Sequence, residues 1–264
     1  MHHILNKLPF VIINPLFNVF PLTYISDLLD ALCRILIKRE IILRAIFLGS
    51  IGTIADTSLL HLKAFNRSFE KHRLNWEWSS TEYREMLKMA GGIKRIQRYA
   101  DENCEKVDAK SIHNTKSRIF QNMLSTETIN IRPGIREIFE IAHKNKVQLA
   151  LVTTTSSTNV VDILSATGID RERFDVIITN EMVKCEKPDP EAYNLALRKL
   201  GLLPREVIAI EDNWDGRKAA ISAELECFVY PGSMQDETIF KHKNIITNHV
   251  AQSISDLLTQ RRAA

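Results

Sequence analysis

Leu43-Arg44-Ala45-Ile46-Phe47-Leu48-Gly49-Ser50-Ile51-Gly52-Thr53 decides how the rest of the chain is read. A short apolar run stops here at a glycine turn, the pattern of a buried strand entering a loop. Similar apolar runs recur at 147–152, 176–179, 207–210 and 227–230, with a weaker one at 244–247. Helical spacing fills 134–144, 158–166, 190–200 and 216–223 between them. Strands that are apolar throughout and alternate with helices predict a parallel sheet covered on both faces. The expected fold is α/β, a Rossmann-like doubly wound sheet.

The stretch 60–130 breaks this alternation. Its apolar residues fall at helical spacing, as in Phe65 and Phe69, Tyr83 and Leu87, or Ile119, Phe120 and Met123. It reads as an inserted α-helical cap, with residues 41–59 and 131–258 forming the core domain around it. The chain re-enters the core at Arg132-Pro133-Gly134.

Composition fits a soluble globular protein: 264 residues, 45% hydrophobic and 25% charged, enough to bury a core without disulfide or metal staples. The net charge of +3 is too small to argue for nucleic acid, and no basic block carries interleaved aromatics. Mild basicity favours a small anionic ligand instead. Four scattered cysteines (Cys33, Cys104, Cys185, Cys227) make neither a zinc motif nor a disulfide framework. A reducing cytoplasm is the expected location.

Residues 1–40 form an apolar extension. Pro9, Pro15 and Pro21 interrupt it, which argues against a transmembrane span. Ser26 reads as the N-cap of a helix over 27–38 with an apolar stripe. Self-association, contact with a partner or a membrane surface, and an upstream start artefact are the readings open for this segment.

Ligands of doubly wound sheets sit beyond the carboxyl ends of the strands. Thr153, Thr154 and Thr155 follow the second core strand, Lys187 precedes Pro188-Asp189-Pro190, and Glu211-Asp212 follow the fourth strand. A hydroxyl and an ammonium can donate to phosphate oxygens, and a carboxylate can hold Mg²⁺. Singly, each residue has an ordinary structural explanation as a cap or a loop residue. In this order, at strand ends, they support one another.

The chain resembles the haloacid dehalogenase superfamily, in particular the CbbY and β-phosphoglucomutase-like group. The resemblance rests on Thr153, on Lys187-Pro188-Asp189-Pro190, and on Glu211-Asp212 with Gly216 and Ala219-Ala220. It extends to the cap through Ala64-Phe65-Asn66, Phe69, Trp76, Trp78, Gly91-Gly92 and Arg95-Ile96. It implies a small phosphorylated, phosphosugar-like ligand bound by Thr153, Thr154, Lys187 and Arg95. It also implies Mg²⁺ held by Asp212 and, more weakly, Glu211.

The first motif departs from the family pattern. Gly52-Thr53 and Asp56-Thr57 fix its register, so Gly49 stands at the nucleophilic aspartate's position and Ile51 at the acid/base aspartate's. Glycine has no side chain to attack phosphorus, and isoleucine moves no proton. The family's first aspartate also ligates the metal, so Mg²⁺ binding is expected to be weakened. Ser50 is out of register and Asp56 lies beyond the turn, so neither replaces the lost pair. With those carboxylates gone, an anion meets less repulsion, and Lys187, Thr153 and inward-pointing helix N-termini are left to hold it.

Two further departures stand out. Ile93 replaces a cap lysine, leaving Arg95, and Glu224 replaces a helix-terminal glycine suited to positive φ. His61, on a helix face, reads equally well as structural or functional. The reading reached is a catalytically impaired phosphatase-like protein that retains a phosphate pocket. The alternatives are an active Mg-dependent phosphatase or other hydrolase with relocated catalytic groups, and an assembly role for residues 1–40.

Overall fold

The computed structural model describes residues 42–88, 91–235, 240, 245–246 and 249–263. The apolar extension and its helix at 27–38 lie outside the described residues.

The apolar runs form five strands: β1 (Ala45–Leu48), β2 (Gln148–Val152), β3 (Val176–Ile178), β4 (Val207–Glu211) and β5 (Glu226–Val229). They pair in parallel in the order β3-β2-β1-β4-β5. The weak run at 244–247 yields a single parallel bridge, Val229 to Ile245, rather than a described strand.

Side chains of a strand alternate between faces, and the core divides accordingly. Ile46, Leu48, Leu149, Leu151, Ile208 and Ile210 point to one face. There they pack on α6 (Ile135–Asn145), α7 (Ser157–Thr167) and α10 (Val250–Ala263). Ala45, Phe47, Ala150, Val152, Val207 and Ala209 point to the other, under α8 (Glu191–Leu200) and α9 (Trp214–Ser222). Covered on both sides, each strand can be apolar at every position.

Between β1 and β2 stand the four-residue α1 (Ile51–Ile54), then α2 (Ser58–Lys71), α3 (Ser80–Met86), α4 (Gly92–Glu102) and α5 (Ala109–Thr126). The last four helices bury an aromatic cluster of Phe65, Phe69, Trp76, Trp78 and Tyr83 with Ile96 and Ile112. Asn66 pins this cluster, its amide exchanging two 2.9 Å hydrogen bonds with the backbone of Trp78. Among the described residues, no helix is long and apolar enough to cross a membrane.

Arg132 ties the re-entry point to the turn after β1. Its guanidinium donates to the carbonyls of Gly52, Tyr230 and Pro231, and lies 3.4 Å over the Tyr230 ring. Asp56 accepts from the amides of Ser58 and Ser233, so it joins the start of α2 to the loop after β5.

Candidate active site

The chain runs from β1 outward through β2 to β3, then crosses back to β4 and β5. The reversal falls between β1 and β4, and a crevice opens at such switch points. A cavity of about 600 Å³ lies there. Its sheet side is formed by Gly49, Ser50 and Ile51 after β1, Thr153 and Thr154 after β2, Lys187, and Asp212 after β4. Its insert side is formed by His61, Tyr83, Arg95, His113, Lys116 and Phe120. Thr153, Thr154, Lys187, Arg95 and Asp212, identified singly from the sequence, therefore share one cavity.

Glu211, expected beside Asp212 as a metal ligand, does not line it. Strand parity turns Glu211 to the face of Val207 and Ala209, where it is fully buried. Its Oε1 accepts from Lys187 Nζ and from the Tyr193 hydroxyl, each at 2.6 Å. Its Oε2 has no hydrogen-bond partner. Burial raises the Glu211 pKa against the opposing pull of the Lys187 ammonium. Burial, followed by the neighbouring Glu211 charge, holds the Tyr193 phenol well above its usual value, so it stays a neutral donor.

Gly49 and Gly216 flank this carboxylate so closely that a Cβ on either would overlap it. The space where a side chain at position 49 would begin is thus taken by Glu211 and the Tyr193 hydroxyl. Lys187 completes the arrangement by donating to the carbonyls of Gly49 and Val152. All three of its N–H groups point at protein oxygens, so Lys187 offers a bound anion its field rather than a free donor.

The helix N-termini also differ from expectation. In the first turn of α7 the Ser157 amide donates to Glu181 Oε1 at 2.9 Å, and the Asn159 amide is capped by Ser156. At α9 the Gly216 amide is capped by Asn213. Side chains of the protein already hold these amides.

Asp212 keeps its carboxylate at the cavity wall. Its Oδ1 accepts from Ser50 Oγ at 2.6 Å and from Asn213 Nδ2 at 2.7 Å. These residues do not fit a dedicated Mg²⁺ site. Asp212, Asp215 and Glu186 line the cavity, but Asp212 Oδ1 already accepts two hydrogen bonds, Glu211 is turned into the core, and no cluster of three ligating side chains occurs among the described residues.

The insert side carries Lys116, which the sequence reading passed over, beside His61 and Arg95, which it named. Lys116 Nζ lies 2.7 Å from Nδ1 of His61, whose ring stacks on Phe120 at 3.9 Å. Arg95 donates through Nε to the Met86 carbonyl and lies over the Tyr83 ring. Ile93 is exposed and does not line the cavity. Among the described lining residues, the insert side bears Lys88, Arg95, Lys116 and two histidines but no carboxylate. Lys116 left a trace in the sequence, since it falls one turn from Ile112 and Phe120 on the buried stripe of α5.

A covered parallel sheet with this strand order, a helical insert after β1 and a cavity at the switch point define a phosphatase-like α/β fold. The chain belongs to the haloacid dehalogenase-like hydrolase family, whose profile matches residues 52–230. It is similar to the protein CbbY of Cereibacter sphaeroides, with 37% identity over 195 residues, 72% of this chain and 85% of that protein. The crystal structure of CbbY from Rhodobacter sphaeroides in complex with phosphate is 36% identical, with a TM-score of 0.68, covering 77% of this chain and 92% of that one. A variant of that protein in complex with xylulose-(1,5)bisphosphate gives a TM-score of 0.69 at 36% identity, covering 78% and 93%.

Proposed function

We propose that this chain binds a phosphorylated ketose in the switch-point cavity and does not hydrolyse it. The observation that carries this reading is the packing at Gly49. The nucleophile's position has no side chain, and the room for one is filled by a carboxylate that Lys187 and Tyr193 hold in place. Ile51 at the cavity wall cannot protonate a leaving group.

Support for the ligand class comes from charge and from the relatives. Arg95 lines the same cavity as Thr153 and Thr154, and a guanidinium favours phosphate oxygens. The similar CbbY proteins are described with phosphate and with xylulose-(1,5)bisphosphate. Residues 60–130 act in this reading as a cap over residues 41–59 and 131–258.

Calorimetry with inorganic phosphate and with this bisphosphate, with and without Mg²⁺, tests the proposal alongside an assay of phosphate release. Binding heat without release is the expected result. Absence of heat from both ligands would sink it.

A second reading is favoured by one contact, the 2.6 Å bond from Ser50 Oγ to Asp212 Oδ1. It places a hydroxyl beside a carboxylate that can take its proton, the beginnings of a relocated hydrolase. Phosphate release by the native chain that disappears in both Ser50→Ala and Asp212→Asn would establish this reading in place of the first.

A further inference from the structure

Lys116 is a buried lysine that the fold itself does not explain. It sits on the apolar stripe of α5 at 7% exposure, and its side chain reaches the cavity. Nζ lies 4.9 Å from the Phe65 ring centre and 5.0 Å from that of Phe120. The charged or titratable groups that act on it are His61 from α2, Arg95 from α4 and His113 from its own helix. None is a carboxylate. Burial, reinforced by the Arg95 charge, pushes the Lys116 ammonium down to about 7. Burial also holds His61 well below the usual histidine range, so a neutral imidazole stands 2.7 Å from the amine.

The other cavity lysines are placed differently. Lys187 has its three N–H groups on protein oxygens, one of them a buried carboxylate. Lys88 is exposed and paired with Glu85. An amine with a lone pair at neutral pH, a proton acceptor at its side and a walled cavity in front is the arrangement of a carbonyl-reactive lysine.

We propose that Lys116 captures the carbonyl group of a phosphorylated ketose as an imine, with His61 moving the protons. This rests on the ligand class proposed above. A pentulose phosphorylated at both ends has no terminal hydroxyl with which to close a furanose ring, so its ketone stays open to attack. The Lys116 nitrogen forms a bond to the carbonyl carbon, and His61 takes the proton that the nitrogen releases. His61 passes that proton to the carbonyl oxygen, giving the carbinolamine hydroxyl, and the nitrogen's second proton then travels through His61 to that hydroxyl, which leaves as water while C=N forms. Ketone and amine become imine and water, with no change of oxidation state.

Trapping tests it. The full chain is incubated with xylulose-1,5-bisphosphate and sodium cyanoborohydride, and the adduct is located by peptide mass mapping. The expected result is one adduct per chain, on Lys116, suppressed by inorganic phosphate and lost in Lys116→Arg. Its rate in the native chain should rise through a pH of about 7, the value of the buried amine, rather than the ~10.4 of an ordinary lysine. Native-chain mapping and the pH profile decide the matter even where the variant fails to fold. Binding heat with no adduct on Lys116 overturns the imine and leaves the phosphate reading standing. Adducts spread over surface lysines overturn it as well. Equal labelling of Lys116 by unphosphorylated glyceraldehyde, unprotected by phosphate, supports the amine and overturns the phosphate reading.

Discussion

Glu211 at the end of β4 governs what position 49 can do. A carboxylate between two glycines, held by Lys187 and Tyr193, occupies the space that an aspartate at position 49 would need. Gly49→Asp alone should force Glu211 from its place and destabilise the fold. Glu211→Ala alone should cost about 3–5 kcal/mol, the usual penalty for leaving a buried partner charge unpaired. Together the two should cost less than their sum, because the new aspartate takes up Lys187. A double-mutant cycle in urea measures this coupling, and strict additivity would show that the two positions do not share the space. The parity that turns Glu211 inward was legible in the alternation of Val207, Ala209 and Glu211. Its contact with Gly49 was not, because it joins residues 162 apart. Lys116 carries a second residue-scale prediction. Its folded pKa of about 7 lies below the unfolded value near ~10.4. The unfolded chain therefore holds the extra proton between these values, and stability rises with pH across that window. Lys116→Met should stabilise most below a pH of about 7, with the gain fading as pH climbs towards ~10. Urea midpoints across that range check it, and a gain independent of pH would contradict it.

At the scale of elements, the strand and helix signals carried well. Each of the first five apolar runs overlaps a strand, with ends displaced by two residues or fewer, because buried parallel strands have few alternatives to continuous apolar sequence. The helix after β4 also ends as its sequence implies. Beyond Ser222 the backbone needs a left-handed residue, and Glu224 adopts φ of 61° there without being glycine. Glu224→Gly should stabilise the chain by about 1 kcal/mol, the relief of left-handed strain less the entropy glycine loses on folding. A thermal melt checks this, and an unchanged or lower midpoint would mean that neighbouring contacts repay the strain. What the elements did not announce is the capping of α7 and α9 by Glu181, Ser156 and Asn213. Asn and Ser before a helix are cap signals that could have been read, whereas Glu181 reaches α7 from a separate loop 24 residues on.

For the molecule as a whole, strand order determines where chemistry can occur. Alternating elements gave the parallel sheet, but the return from β3 to β4 across β1 is a long-range choice that no local pattern encodes. That return brings Gly49, Thr153, Lys187 and Asp212 to one edge, and the helical insert closes over them with Arg95, His113 and Lys116. The sheet side was legible from motifs, since strand ends recur at fixed places in such folds. The insert side depended on how four amphipathic helices pack, so a lysine on an apolar stripe passed as one more helix residue. Phosphorus NMR of the full chain with xylulose-1,5-bisphosphate and Mg²⁺ tests binding and the absence of turnover in one sample. The two ester resonances should broaden or shift with added protein and persist, with no inorganic phosphate signal growing in. Steady growth of that signal at a rate proportional to protein concentration would contradict the account.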